Sequence, residues 1–322
     1  MKRFYSLIIL TAGLAIGLSS CNNAGKSGQK EGSISIDGSS TVYPISEAVA
    51  EEYLALNPRV KVTVGESGTG GGFKKFGRGE TDINDASRPI KQSEIDLAKE
   101  NNINYIELLI AFDGMAIVVN PNNTWANDIT VAELKKIWEP AAQGVITKWN
   151  QIRPEWPDRE LHLYGAGTAS GTFDYFTEAV VGESKSCRGD YTASEDDNVL
   201  VQGVASDENA LAFFGLSYYE NNKAKLKLVP VNDENDENGA GAILPTVETV
   251  KNKTYTPLSR PLFIYVNSTA AEKEVVQDFV TFYLDNVSKL VEEVGYIPLT
   301  ENEIASAKNT WAEFVKTHAP VK

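Results

Sequence analysis

Ser33-Ile34-Ser35-Ile36-Asp37-Gly38-Ser39-Ser40-Thr41-Val42-Tyr43-Pro44-Ile45 reads as a short strand, a turn of small polar residues and the opening of a helix. The helix continues through Val49 and Tyr53, which with Ile45 recur every four residues as an apolar stripe does. The same order returns twice. Val60 to Val64 is a second strand that runs into Gly65-Glu66-Ser67-Gly68-Thr69-Gly70-Gly71-Gly72, after which Phe73 and Phe76 begin another helix. Asp82 to Ala86 is a third short strand, and Ser87-Arg88-Pro89-Ile90 turns into a helix containing Ile95 and Leu97. Repeated switching between short apolar runs and longer amphipathic ones predicts an α/β protein.

Downstream, Ala111 to Asn120 is expected to be a strand that carries the chain into a second lobe. Ile129 to Trp138 follows as a helix, and Leu161 to Tyr164 as a strand. Gly165 to Thr172 is another Gly/Ser/Thr-rich turn before a helix over Phe173 to Val181. Leu226 to Pro230 reads as a short strand and Pro261 to Val266 as the return strand. Glu272 to Val294 and Asn302 to Lys316 give two closing helices, and no internal repeat is present.

The N-terminus sets the compartment. Lys2 and Arg3 precede an apolar stretch, Leu7 to Leu18, of signal-peptide rather than membrane-span length. It closes on Leu18-Ser19-Ser20-Cys21, a lipobox whose cysteine would carry diacylglycerol and become the new N-terminus. Residues 1–20 are therefore expected to be a lipoprotein signal peptide. Cys21 to Gly32, polar and glycine-rich, is expected to be a tether. The exported chain then keeps Cys187 alone, so no intramolecular disulfide can form, and its core must hold it together.

A formal charge of -14 argues against a nucleic-acid partner, which requires a basic face. It also means that the overall field does not steer an anion inward, so an anion site must be built from local dipoles and a buried arginine. The turns at residues 38–41, 67–72 and 170–172 supply such dipoles. A helix N-terminus leaves N–H groups unpaired, glycine lets the backbone approach closely, and Ser and Thr hydroxyls donate. Each turn alone could be an ordinary helix cap. Three in one chain point to a shared oxyanion cradle.

Enzyme motifs do not fit these stretches. Gly65 to Gly71 lacks the Lys-Ser/Thr of a P-loop, and Gly165 to Gly171 misplaces the third glycine of a dinucleotide fingerprint. His162 and His318, the only histidines, suggest neither a triad nor a zinc site. No cofactor, no metal and no catalytic activity are expected. An extracellular phosphatase would need a nucleophile with a base, or a metal cluster.

Taken together, Asp37-Gly38-Ser39-Ser40-Thr41-Val42-Tyr43-Pro44, Gly68-Thr69-Gly70-Gly71-Gly72-Phe73, Ala86-Ser87-Arg88-Pro89-Ile90, Ser170-Gly171-Thr172-Phe173 and Gly215-Leu216-Ser217-Tyr218 resemble, in order and spacing, the PstS family. These are the phosphate-binding subunits of bacterial ABC importers, and the resemblance covers nearly the whole mature chain. It implies a two-lobed type II periplasmic-binding-protein fold, closing by a hinge over the anion. Lobe 1 would comprise residues 33–110 plus 261–322, and lobe 2 residues 111–260. It further implies inorganic phosphate as ligand, a membrane permease as partner, attachment to the membrane through the lipid, and a monomer. Another tetrahedral oxyanion (sulfate or molybdate), or a phosphate-sensing lipoprotein without a permease, is the alternative.

Carried over by position, the resemblance makes Ser40, Thr41, Ser67 or Thr69 and the Gly70 amide donors from lobe 1, and Ser170, the Gly171 amide and Thr172 donors from lobe 2. Two charges depart from the family pattern. The arginine expected four residues before Ser170 is Ala166, and the aspartate expected after Ser87 is Arg88. Arg88 is accordingly expected to supply the positive charge bidentately, its alternative being a surface ion pair with Glu94 or Asp96. A substitute is also needed for the aspartate, which accepts the proton that phosphate carries and sulfate lacks. Asp113 is the first candidate, since it interrupts an apolar strand at the lobe crossover; Glu66 and Asp174 follow. Capping a turn through Gly114 is the structural alternative for Asp113.

Overall fold

In the computed structural model, which describes residues 30–168, 170–194 and 196–318, the opening stretch forms β1 (Gly32–Gly38) and α1 (Tyr43–Leu56). Ile34 and Ile36 point inward from β1, and Ile45, Val49 and Tyr53 are the buried stripe of α1. The expectations placed on the signal peptide and on Cys21 lie outside the described residues. No helix among the described residues is long and apolar enough to cross a membrane.

Next come β2 (Val60–Glu66), α2 (Thr69–Phe76), β3 (Ile83–Ala86), α3 (Gln92–Glu100) and the long strand β4 (Tyr105–Val119). They are followed by α4 (Val131–Trp138), β5 (His162–Ala166), α5 (Gly171–Phe176), β6 (Thr192–Ser194), α6 (Asp197–Ser206), β7 (Ala210–Gly215) and α7 (Leu216–Glu220). The return strand β8 (Ser259–Asn267) and the helices α8 (Glu274–Glu293) and α9 (Glu301–His318) end the chain. The sheet runs β2-β1-β3-β8-β4-β7-β5-β6. β1 is parallel to β2 and β3, β8 is antiparallel to β3 and β4, and β5 is parallel to β6 and β7. This is a mixed α/β fold of the type II periplasmic-binding-protein kind.

Two large apolar cores flank this sheet. One draws on buried residues between Ile34 and Ala111 and again between Leu262 and Trp311; the other draws on Phe112 to Leu258, joined by Ile297 and Leu299. The chain therefore changes core within β4, between Ala111 and Phe112, and returns between Leu258 and Leu262 at the start of β8. Along that passage β4 and β8 pair with Asp113 opposite Arg260.

The first turn is fixed by β3. Gly38 has φ +146°, and a Cβ there would lie 2.1 Å from the Asp85 carbonyl oxygen. The same carbonyl accepts a hydrogen bond from the Ser39 amide at 3.0 Å. Only glycine permits this approach. Below the turn the Asp85 carboxyl is wholly buried, with Oδ1 accepting from Ser46 Oγ at 2.9 Å. Burial pushes this carboxyl up to about 8.

A folded value above the unfolded one means that the folded chain binds the proton more tightly. Stability from this group is therefore complete below the ordinary 3.8 and declines as pH rises through about 8. Asp85→Asn is expected to flatten the stability profile between about pH 5 and 9 and to raise the melting temperature at the alkaline end. Thermal denaturation of the two proteins across that range checks it; parallel profiles would mean that Asp85 is ionised throughout.

Candidate functional site

The strand-to-helix turns meet at a cleft of about 390 Å³ to which both cores contribute. From the first core come Ser40 and Thr41 of the first turn, Thr69 and Gly70 at the start of α2, and Ser87 and Arg88 after β3. From the second core come Asp174 and Tyr175 of α5. Between them stands Arg260, at the start of β8.

Arg260 is held on three sides. Its Nε donates to Asp113 Oδ2 at 3.2 Å, its Nη2 donates to Thr41 Oγ1 at 2.6 Å, and its guanidinium lies 3.5 Å from the centroid of the Tyr175 ring. The ring is anchored in turn, since Tyr175 Oη donates to the Pro257 carbonyl at 2.5 Å. The Arg260 side chain is 12% exposed and that of Asp113 1%. Burial pushes the Asp113 carboxyl up, and the attraction of Arg260 opposes this. An ion pair so placed costs desolvation, and the pair limits that cost while fixing the direction of the guanidinium.

Asp174 is the carboxylate on the cleft wall. Its Oδ2 accepts from Ser40 Oγ at 3.5 Å and lies 3.6 Å from Lys185 Nζ. Its Oδ1 is buried and has no hydrogen-bond partner among the described residues. Burial raises this carboxyl, with Lys185, Ser40 and Arg260 pulling the other way. The site thus offers one oriented guanidinium, several hydroxyl and amide donors, and one under-used acceptor.

Of the residues singled out in the sequence, Ser40, Thr41, Thr69, Gly70 and Arg88 line this cleft. The Arg88 guanidinium is forked onto Glu94, at 2.7 and 2.9 Å, which is the ion pair foreseen as its alternative. Ser67 is drawn away, its hydroxyl donating to Asp37, which also pairs with Lys75 at 2.6 Å. Asp113 lies behind Arg260 and does not line the cleft.

Ser170, Gly171 and Thr172 line a neighbouring chamber of about 340 Å³ that also includes Ser40. Ser170 Oγ there accepts from the Thr172 amide at 3.1 Å, as an N-cap. The wall between the two chambers is a direct approach of backbones: a Cβ on Gly171 would lie 2.8 Å from Thr41 Cα. Sequence reasoning missed Arg260 and Tyr175. The available signal was that Arg260 and Asp113 each place a charge at the edge of an apolar crossover strand, where each needs a partner.

Elsewhere, His162 is held between Asp207, 2.7 Å from Nδ1, and Glu160, 3.1 Å from Nε2. Burial pushes the Cys187 thiol up to about 11, which leaves it unreactive at neutral pH. Trp125, Trp149 and Trp156 pack edge to face. Among the described residues no group of three or more His, Cys, Asp or Glu side chains is placed to hold a metal ion.

Residues 23–287 match the model of the PBP superfamily domain. The chain is 50% identical over 302 residues to protein SphX of Synechocystis sp., covering 94% of this chain and 87% of that one. It is 37% identical over 308 residues to the phosphate-binding protein PstS of Staphylococcus saprophyticus, covering 94% and 92%. Among solved structures, a possible phosphate binding protein from Planctomyces limnophilus superposes with a TM-score of 0.84 at 46% identity, over 88% of this chain and 99% of that one. An ABC-type phosphate transport receptor from Vibrio cholerae gives 0.59 at 26% identity, over 83% and 100%.

Proposed function

This chain belongs to the PstS family of phosphate-binding proteins within the PBP superfamily, and from that premise we propose that it captures inorganic phosphate and delivers it to the permease of an ABC importer. The observation that carries the reading is Arg260, oriented by Asp113, Thr41 and Tyr175 into a cleft ringed by hydroxyl and glycine-amide donors. An oriented guanidinium binds a tetrahedral oxyanion bidentately. Asp174 beside it favours hydrogen phosphate over sulfate or molybdate, because only the former brings a proton for an unpaired carboxylate oxygen to accept.

The protein acts as a receptor rather than an enzyme. Its two cores are the moving lobes, residues 33–110 plus 261–322 and residues 111–260, hinged where β4 and β8 cross. Ser170, Gly171 and Thr172 join the grip from the second lobe. Cys21 carries the lipid that keeps the monomer at the membrane after export; mass spectrometry of the N-terminal peptide should find a diacylglyceryl thioether there.

Calorimetric titration of the anion-stripped protein with phosphate and then sulfate tests the reading. Tight phosphate binding with no sulfate response supports it, and binding of neither removes the oxyanion assignment. Arg88→Ala is expected to weaken phosphate binding by no more than about 1 kcal/mol, since Glu94 already occupies its guanidinium. A loss of 3 kcal/mol or more, roughly, would place Arg88 on the anion.

A further inference from the structure

The cleft that holds Arg260 and the chamber beyond the contact of Thr41 with Gly171 have opposite electrostatic character. In the first, Arg88, Lys91 and Arg260 outnumber Asp174 and Glu178. The second carries Glu66 and Asp197 and no lysine, arginine or histidine, together with Tyr43, Tyr218 and Tyr296. The two meet at Ser40, which lines both.

Within the second chamber the acid and the ring share one wall. A Cβ on Gly215 would lie 3.6 Å from Tyr218 Cδ2 and 3.8 Å from Asp197 Oδ2. From the other side, a Cβ on Gly295 would lie 2.9 Å from Tyr218 Cε2. The glycines therefore hold the ring in place. Aromatic faces with carboxylates alongside are the chemistry that holds an ammonium group, through the ring quadrupole and direct charge attraction. A volume of about 340 Å³ lies within the range of small-molecule sites, and exceeds what an anion in the other chamber needs.

We propose that the two chambers form one bipolar site, in which the acidic, tyrosine-lined half receives the ammonium end of a small phosphorylated amine while its phosphoryl group lies against Arg260. The ligand class is a phosphomonoester or phosphonate bearing an amine on a short carbon spacer, passing the wall on its Ser40 side. This rests on the phosphoryl reading of the Arg260 cleft. It adds that the receptor takes such zwitterions in addition to the inorganic ion.

The test is calorimetry on the full-length, anion-stripped protein with inorganic phosphate, ethyl phosphate and phosphoethanolamine. The two esters are nearly equal in size and differ in the ammonium charge. Phosphoethanolamine is expected to bind at least about tenfold more tightly than ethyl phosphate. Asp197→Asn and Tyr218→Leu are expected to bring that ratio towards one while leaving inorganic phosphate binding unchanged, which also shows that both variants fold. Equal affinity for the two esters in the unaltered protein, or failure of both to bind while inorganic phosphate binds tightly, overturns the bipolar site alone. Failure of inorganic phosphate to bind overturns the phosphoryl reading, and the bipolar site with it.

Discussion

Arg260→Ala is expected to lower phosphate affinity at least about 100-fold, or roughly 3 kcal/mol, the largest single loss in the site. The guanidinium is preorganised, so little ordering cost is left for the anion to meet. Removing it also strands Asp113, which is 1% exposed, without its partner, and a stranded buried carboxylate destabilises the fold. The two effects separate in the double variant Arg260→Ala with Asp113→Asn. Melting temperature should recover there, because the neutral amide needs no counter-ion, while phosphate affinity should stay low. Recovery of affinity as well would mean that Arg260 serves the fold and that another group holds the anion. Arg260→Lys should fall between, since an ammonium cannot reproduce the fork.

Asp174→Asn is expected to shrink the preference for phosphate over sulfate by about 100-fold or more, through weaker phosphate binding and new sulfate binding together. A carboxylate rejects sulfate by repelling an anion that has no proton to share; an amide can donate to it instead. The unaltered protein should show the same change with pH. Burial raises the Asp174 carboxyl, so it takes up its proton at a higher pH than an ordinary aspartate. Once protonated it can donate, so sulfate binding should increase as pH falls through that range, and Asp174→Asn should abolish the dependence. Competition titrations of sulfate against phosphate at several pH values read both effects. Unchanged discrimination in the variant would return Asp174 to a structural role at the third position of α5.

The elements that could be read in the sequence were those whose signals are local. The turns after β1 and β2 announce themselves through glycine and hydroxyl residues, and the stripe of α1 through its spacing. The strand β7 was not read, because Ala210-Leu211-Ala212-Phe213-Phe214 is apolar throughout, buried on both faces, and so has no period. The helix α6 was left open because its acidic start reads equally as a solvated loop. The helix over Phe173 to Val181 is divided, α5 giving way to a π turn over residues 177–181.

In the site the difficulty was distance along the chain. Arg260 lies 219 positions from Thr41 and 147 from Asp113, so only the register of β8 on β4 brings them together. Arg88 drew attention because it stands inside a recognisable turn. The same turn supplies Glu94, six residues on, close enough to take its charge.

The position of the Arg260 and Asp113 pair, facing each other on the two strands by which the chain changes core, has a mechanical side. On the hinge proposed above, the pair sits at the fulcrum, while Ser40, Thr69 and the start of α5 ride on the lever arms. Spreading the arms carries off the many weak donors first and lets water reach the one strong contact, whose attraction falls as the surrounding dielectric rises. A permease that pries the arms apart would never have to pull the anion off the guanidinium by force. Unloading would be a matter of flooding the fulcrum, and a grip tight enough to scavenge would still be one that a docking partner can undo.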